Sequence, residues 1–313
     1  MSFALKVKEE LCGVSNPDSS SDFIEVLAMI RYGSEISMSS DGLKLVFSST
    51  SLTILRHFLT LLKRFHNVET RIESRIIKQF EEKTTYSLYI LSQVDVICED
   101  FGILNKNKLQ NEEIIANEVY AKAYLRGAFL CKGSVNDPSG GNYHLEIKCD
   151  DDEEIIFLQQ VFNIFDLNGK ICKRRNHLIL YIKDVNLICD FLRIIGAIEN
   201  VFQIEDAVIK REIHQTVSRN LNCELANETK TFQAAKEQMA YIQYLEYNYP
   251  LDKLDPKLLL IMKVRKEHME ASFNELLEIL KNEYGEEMTK SGLNHRFRKL
   301  KEIAIAYKKS RDK

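Results

Sequence analysis

The stretch YLRGAFLCKGSVNDP, Tyr124 to Pro138, decides how the chain reads. It sets the small residues Gly127, Ala128 and Gly133 in an otherwise apolar run of helical spacing, with Lys132 directly before the closing glycine. Small residues at this spacing let two helix backbones approach closely. An acid at the end of such a helix could bind a metal between the pair, yet the residue here is a lysine.

The run has a counterpart 100 residues upstream. FIEVLAMIRYGS (Phe23 to Ser34) and AYLRGAFLCKGS (Ala123 to Ser134) both close on Gly-Ser, and the elements downstream of each match in order. A short strand comes next, GLKLVFSS (Gly42 to Ser49) against YHLEIKCD (Tyr143 to Asp150). Then come the amphipathic helices SLTILRHFLTLLKRF and DDEEIIFLQQVFNIF, with Ser51 and Asp151 as N-caps. A charged strand pair and a closing helix complete each copy. The pattern therefore reads helix–strand–helix–strand–strand–helix twice, over about 20–105 and 120–212. The two sheets are expected to form one shared surface.

Composition sets the frame. A chain of 313 residues, 45% hydrophobic and 28% charged, is that of a globular protein with two or three domains. Four prolines and no low-complexity tract argue against long disordered segments. No apolar run reaches the roughly 18 residues of a membrane span, and MSFALKVKEELCG reads as an amphipathic helix rather than a leader, so a cytoplasmic location is expected. The seven cysteines are dispersed without a C-x-x-C pair, and most are expected to be small buried hydrophobes. The histidines are equally scattered, so neither metal nor cofactor is expected.

Charge is asymmetric. Thr289 to Lys313 carries nine Lys or Arg against Glu302 and Asp312, a net +7, which leaves −10 for the rest of a chain whose formal charge is −3. Such a basic tail points to nucleic acid. After about Asn222 the pattern is purely helical, with Asn227 a candidate cap, Asp255-Pro256 a helix start, and Ser272-x-x-Glu275 a capping box. The last helix, with Ser291 as its expected cap, has an apolar stripe of Leu293, Phe297, Leu300, Ala304 and Tyr307. That is the layout of a helix-turn-helix reader over about 272–306. Arg298 suits guanine and Asn294 adenine, with His295 beside them. Lys290, Ser291, Arg296, Lys299, Lys301, Lys308 and Lys309 suit phosphate. The stretch KNEYGEEMT before this helix is longer than the usual turn.

The motifs VKEEL (Val7 to Leu11), AYLRGAFLCKGSVNDP, YHLEI (Tyr143 to Ile147), NCELANETKT (Asn222 to Thr231) and KSGLNHRFRKL (Lys290 to Leu300), in this order, resemble the WhiA family of bacterial DNA-binding regulators. The resemblance runs from near the N-terminus to about Tyr307. It implies an α+β fold: a duplicated, degenerate LAGLIDADG homing-endonuclease-like domain of αββαββα type over 1–222, then an all-α helix-turn-helix domain similar to sigma region 4 over 223–313. In active LAGLIDADG enzymes the eighth motif position is a metal-binding acid. Here LRGAFLCKG puts Lys132 there and EVLAMIRYG puts Tyr32 there, so no catalytic or metal residues are expected. The acidic run Asp150 to Glu154 is read as a helix start rather than a metal site. Secondary DNA contacts are expected from Arg71, Arg75, Lys78, Lys132, Lys170, Lys173, Arg174 and Arg175, and Lys132 is alternatively a buried cap for backbone carbonyls. The implied partners are double-stranded DNA and either transcription machinery or a division protein, at the nucleoid. Alternatives are an adaptor or nucleoid-associated protein whose LAGLIDADG-like domain binds a protein partner and, least favoured, an active metal-dependent homing endonuclease.

Overall fold

The computed structural model describes residues 2–39, 42–79, 81–103, 108–174 and 177–311. They fall into two compact units, Met1–Arg211 and Glu212–Lys313.

In the first unit, α1 (Phe3–Leu11) is capped by the Ser2 hydroxyl and buries Phe3, Val7 and Leu11 at four-residue steps. The first copy of the repeat is α2 (Ser19–Gly33), β1 (Ser34–Ser39), β2 (Gly42–Ser49), α3 (Leu52–Leu62), β3 (Thr70–Gln79), β4 (Glu81–Ile90) and α4 (Val94–Asp100). After α5 (Lys108–Ala116), the second is α6 (Glu118–Lys132), β5 (Gly133–Val135), β6 (Leu145–Cys149), α7 (Asp152–Ile164), β7 (Lys170–Arg174), β8 (His177–Ile182) and α8 (Val185–Ile195). The antiparallel orders β1-β2-β4-β3 and β5-β6-β8-β7 are the same, in two separate sheets.

Each copy has one strand more than its hydrophobic pattern predicts. β1 and β5 begin at the residue after the helix, with Gly133 and Ser34 already extended. The glycine at each junction marks the helix end but no loop follows it, and a three-residue strand such as β5 is too short to show a period.

α2 and α6 pack against each other at Gly127. A Cβ there would lie 2.6 Å from the carbonyl oxygen of Glu25 and 2.8 Å from Ala28 Cβ, which is closer than real Cβ atoms come. Beside this contact sits a fully buried carboxylate, Glu25. It takes hydrogen bonds from Asn16 Nδ2 (2.7 Å) and Arg126 Nη1 (3.3 Å), and its other oxygen meets His57 Nε2 at 2.7 Å. Arg126 also donates to the Ile195 carbonyl at 2.7 Å and to Asn16 Oδ1 at 2.9 Å. The buried charges are thus paired and hydrogen-bonded, as low-dielectric surroundings demand. The two repeat copies share one hydrophobic core around them, including the stacked Phe47–Phe58 pair.

α9 (Ile198–Asn248) runs unbroken through the residues where a helix was expected to start, so Asn227 lies inside it and caps nothing. The physical reason is plain: no glycine or proline occurs between Ile198 and Asn248 to stop a helix.

In the second unit, α10 (Pro256–Glu267) starts with Asp255 accepting from Lys257 N, as its Asp-Pro pair predicts. α11 (Phe273–Tyr284) has the full Ser272/Glu275 capping box and ends on Gly285 at φ +67°. α12 (Lys290–Arg311) begins after five residues, 285–289. The connection is shorter than KNEYGEEMT suggests because its first four residues extend α11. The cap of α12 is Thr289 rather than Ser291: its Oγ1 accepts from Gly292 N at 3.1 Å and its carbonyl from Leu293 N. Leu276, Leu280, Leu293, Phe297, Leu300 and Ala304 form the core with residues of α9 and α10. Buried Arg265 pins the α10–α11 corner, donating to the Ala271 carbonyl at 2.6 Å while lying 5.5 Å from the Phe297 ring.

Cys98, Cys149 and Cys189 are buried as expected, but Cys172 and Cys223 are exposed. No helix among the described residues is long and apolar enough to cross a membrane.

The packing and the caps give two expected outcomes. Gly127→Val forces α2 and α6 apart and lowers stability by about 1–3 kcal/mol or more, read as a lower urea midpoint. Thr289→Ala lowers the thermal midpoint by the equivalent of about 1 kcal/mol, while Ser291→Ala, outside the cap, leaves it within about 0.5 kcal/mol.

Candidate nucleic-acid interface

α12 is held by one face and leaves another open. Leu293, Phe297, Leu300 and Ala304 are buried, and Tyr307 packs edge-on against Tyr249. Ser291, Asn294, His295 and Arg298 are exposed at the i, i+3, i+4, i+7 positions of a single stripe. Lys290 and Lys299 flank it, also exposed, and none of these six side chains makes a hydrogen bond or ion pair among the described residues. Two of the predicted contacts are otherwise engaged. Arg296 is half-buried and reaches Glu286 at 3.5 Å, and Lys301 pairs with Glu237 at 3.6 Å. At the helix start the Thr289 hydroxyl takes one amide, and the amides of Lys290 and Ser291 have no intrahelical acceptor. That end favours an anion by dipole and by hydrogen bonding.

The repeat unit offers two sheet faces. Paired residues in an antiparallel sheet share a face, so Leu45, Phe47, Leu88 and Ile90 mark the covered side of the first sheet. Arg71 pairs with Tyr89 and Arg75 with Thr85, placing both arginines on the opposite, outer side. Arg71 is bound to Glu73 at 2.5 Å and lies over the Tyr89 ring, whereas Arg75 makes no ion pair among the described residues. In the second sheet Lys170 and Arg174 stand opposite Tyr181 and His177 on the outer side, with Lys148. Lys173 pairs with Leu178, which shares the face of Cys149 and the buried Leu180 and Ile182, so it points to the covered side and is not part of the outer set. Arg175 and the side chain of Lys78 lie outside the described residues. Lys148 was missed, although period-two alternation along LEIKC would have found it.

Tyr32 and Lys132 end their helices on a common cleft of about 680 Å³. The Lys132 side chain is 38% exposed rather than buried, and it reaches Asp150 at 3.3 Å. The second oxygen of Asp150 meets His177 Nδ1 at 2.7 Å. Partial burial pushes the Asp150 carboxyl up, but His177 and Lys132 outweigh it and hold the group below its ordinary value. Tyr32 is buried, and that burial, with Tyr124 and Glu154 nearby, raises its phenol well above the usual range. Tyr124 links the copies, accepting from Arg31 at 3.5 Å and donating to Glu154. In the acidic run, Asp151 caps α7 and Asp152, Glu153 and Glu154 fill its first turn.

The sequence matches three family models: the WhiA N-terminal LAGLIDADG-like domain over residues 19–104, the WhiA LAGLIDADG-like domain over 121–214, and the WhiA C-terminal HTH domain over 217–304. A probable cell division protein WhiA from Exiguobacterium sibiricum is 37% identical over 97% of this chain and 96% of its own. One from Limosilactobacillus reuteri is 34% identical, covering 97% of each. Among solved structures, full-length WhiA from Thermatoga maritima aligns over 98% of both chains with a TM-score of 0.60 and 25% identity. With all three domains in order and relatives about a third identical along nearly the full length, the chain belongs to the WhiA family.

Proposed function

We propose that this chain is a sequence-preferring DNA-binding protein, a transcription regulator acting on cell-division or sporulation-type genes at the nucleoid, without nuclease activity. The observation that carries the reading is the open stripe of α12, where Ser291, Asn294, His295 and Arg298 stand clear of the core that anchors the helix. Arg298 and Asn294 have the donor geometry for base edges, while Lys290 and Lys299 hold backbone phosphate. Arg296 and Lys301 contribute less, because Glu286 and Glu237 offset their charge. Base reading is thereby assigned to 223–313. The repeat over 1–222 adds a secondary grip through Arg75, Lys170 and Arg174 on the outer sheet faces.

The chemistry at the helix ends supports the absence of cleavage. Hydrolysis with divalent metal needs hard carboxylate ligands at the ends of both helices, and Lys132 and Tyr32 stand there instead. A lysine ammonium repels the cation such a reaction requires.

A second reading has its own observation. The outer sheet faces mix acids with bases: Glu73 binds Arg71, and Glu146 meets both His144 and Lys148. Such mixed faces suit a protein partner, from the transcription or division machinery, better than a polyanion.

Fluorescence anisotropy of the full chain on its genomic target decides between them. Arg298→Ala weakens specific binding by about 1–3 kcal/mol and relaxes preference at one base, whereas Lys299→Ala weakens all sequences alike and lowers the salt slope by about one. Unchanged binding in both variants, or Mg²⁺-dependent nicking of the DNA on a gel, would overturn the proposal.

A further inference from the structure

The cleft at the ends of α2 and α6 has walls that the α12 reading does not use. Lys8, Arg31 and Lys132 line it together with Glu35 and Asp150. Both oxygens of Asp150 are engaged, by Lys132 and His177, and Arg31 is drawn toward Asn111 and Tyr124. Lys8 is different. It comes from α1, outside both repeats, and makes no hydrogen bond or ion pair among the described residues. Its nitrogen lies 5.9 Å from the centre of the Phe129 ring, and the thiols of Cys131 and Cys12 and a second cation, Lys148, act on it electrostatically. Ser34, also lining the cleft, has its hydroxyl oxygen buried without a hydrogen-bond partner among the described residues. Ser48, Thr84 and Ser134 add further hydroxyls to the lining.

A partly buried ammonium without a counter-ion and a buried hydroxyl without a partner are both unfavourable unless something else binds them. One ligand class satisfies both, an oxyanion with several acceptor oxygens. We propose that the cleft is an anion site, taking a phosphate-type group on the Lys8 ammonium and the Ser34 hydroxyl. Two sources supply that chemistry, a free phosphate compound and the backbone of bound DNA, and the cleft is roomy enough for either. The site does not depend on the base-reading role of α12.

Burial lowers the Lys8 amine to about 8, with Cys131 and Cys12 opposing that shift and Lys148 adding to it. The two thiols are pushed up to about 12 by burial, beyond the range in which Lys8 titrates. Arg31, Lys132, Glu35 and Asp150 are the other charges on the cleft wall. An anion prefers the charged amine, so binding is full below Lys8's value and is lost as pH rises through it.

The test uses the full chain and inorganic pyrophosphate, read as the shift in unfolding temperature, with sodium chloride at equal ionic strength as control. Pyrophosphate is expected to stabilise the wild type more than chloride does, and Lys8→Met to abolish that difference. Between pH 7 and pH 9 the wild-type affinity falls about 10-fold, while Lys8→Arg, charged throughout, loses much less. The same variants are titrated with duplex DNA in an Arg298→Ala background. Weaker DNA binding by Lys8→Met with no pyrophosphate effect identifies backbone phosphate as the occupant, and the reverse identifies a free phosphate compound. If Lys8→Met changes neither response, there is no anion site. Should that variant fail to fold, a pH profile for Lys8→Arg identical to the wild type overturns the proposal.

Discussion

The approach of α2 and α6 at Gly127 is the constraint on which the first unit depends. Two helix backbones come so near that even a methyl group on Gly127 would strike the opposing main chain. That proximity sets both repeat copies on one core and brings the ends of both helices to one cleft. It also buries Glu25, which is tolerable because Arg126, Asn16 and His57 surround it. Each of these partners comes from a different part of the chain, so the network ties the loop before α2, the helix α3 and the second copy to one carboxylate.

The same geometry concentrates the chemistry of the first unit at one place. When two helix ends meet, whatever side chains they present are concentrated in a single place. Acids there would gather a divalent cation. Lys132 and Tyr32 stand there instead, and Asp150, on the same cleft, is tied to Lys132 and His177. Lys8 then adds a cation from α1. The charge of the cleft is thus set by a few side chains at the helix ends and on α1.

α12 obeys another logic. Its core-facing residues are spaced for packing, and among the described residues Ser291, Asn294, His295 and Arg298 have no intramolecular partner, whereas Arg296, Lys301 and Arg311 are engaged by Glu286, Glu237 and Asn248. A helix anchored on one side and unpaired on the other is preorganised, so that binding a groove costs little further ordering.

The sequence alone carried the duplication, the family, and most helix starts. Asp151, Asp255 and Ser272 cap the helices that their spacing predicts, because a cap is a local interaction within a few residues. It also carried the apolar stripe of α12, since a helical period is visible in any window longer than two turns. Tertiary structure decided the rest. β1 and β5 exist because neighbouring strands pair with them. The separation of Lys173 from Lys170 and Arg174 depends on register, in which one step along a strand exchanges faces. The cleft brings together residues from α1, the ends of α2 and α6, and strands of both sheets. No spacing in the sequence encodes that meeting, since it arises from the contact of two helices 100 residues apart.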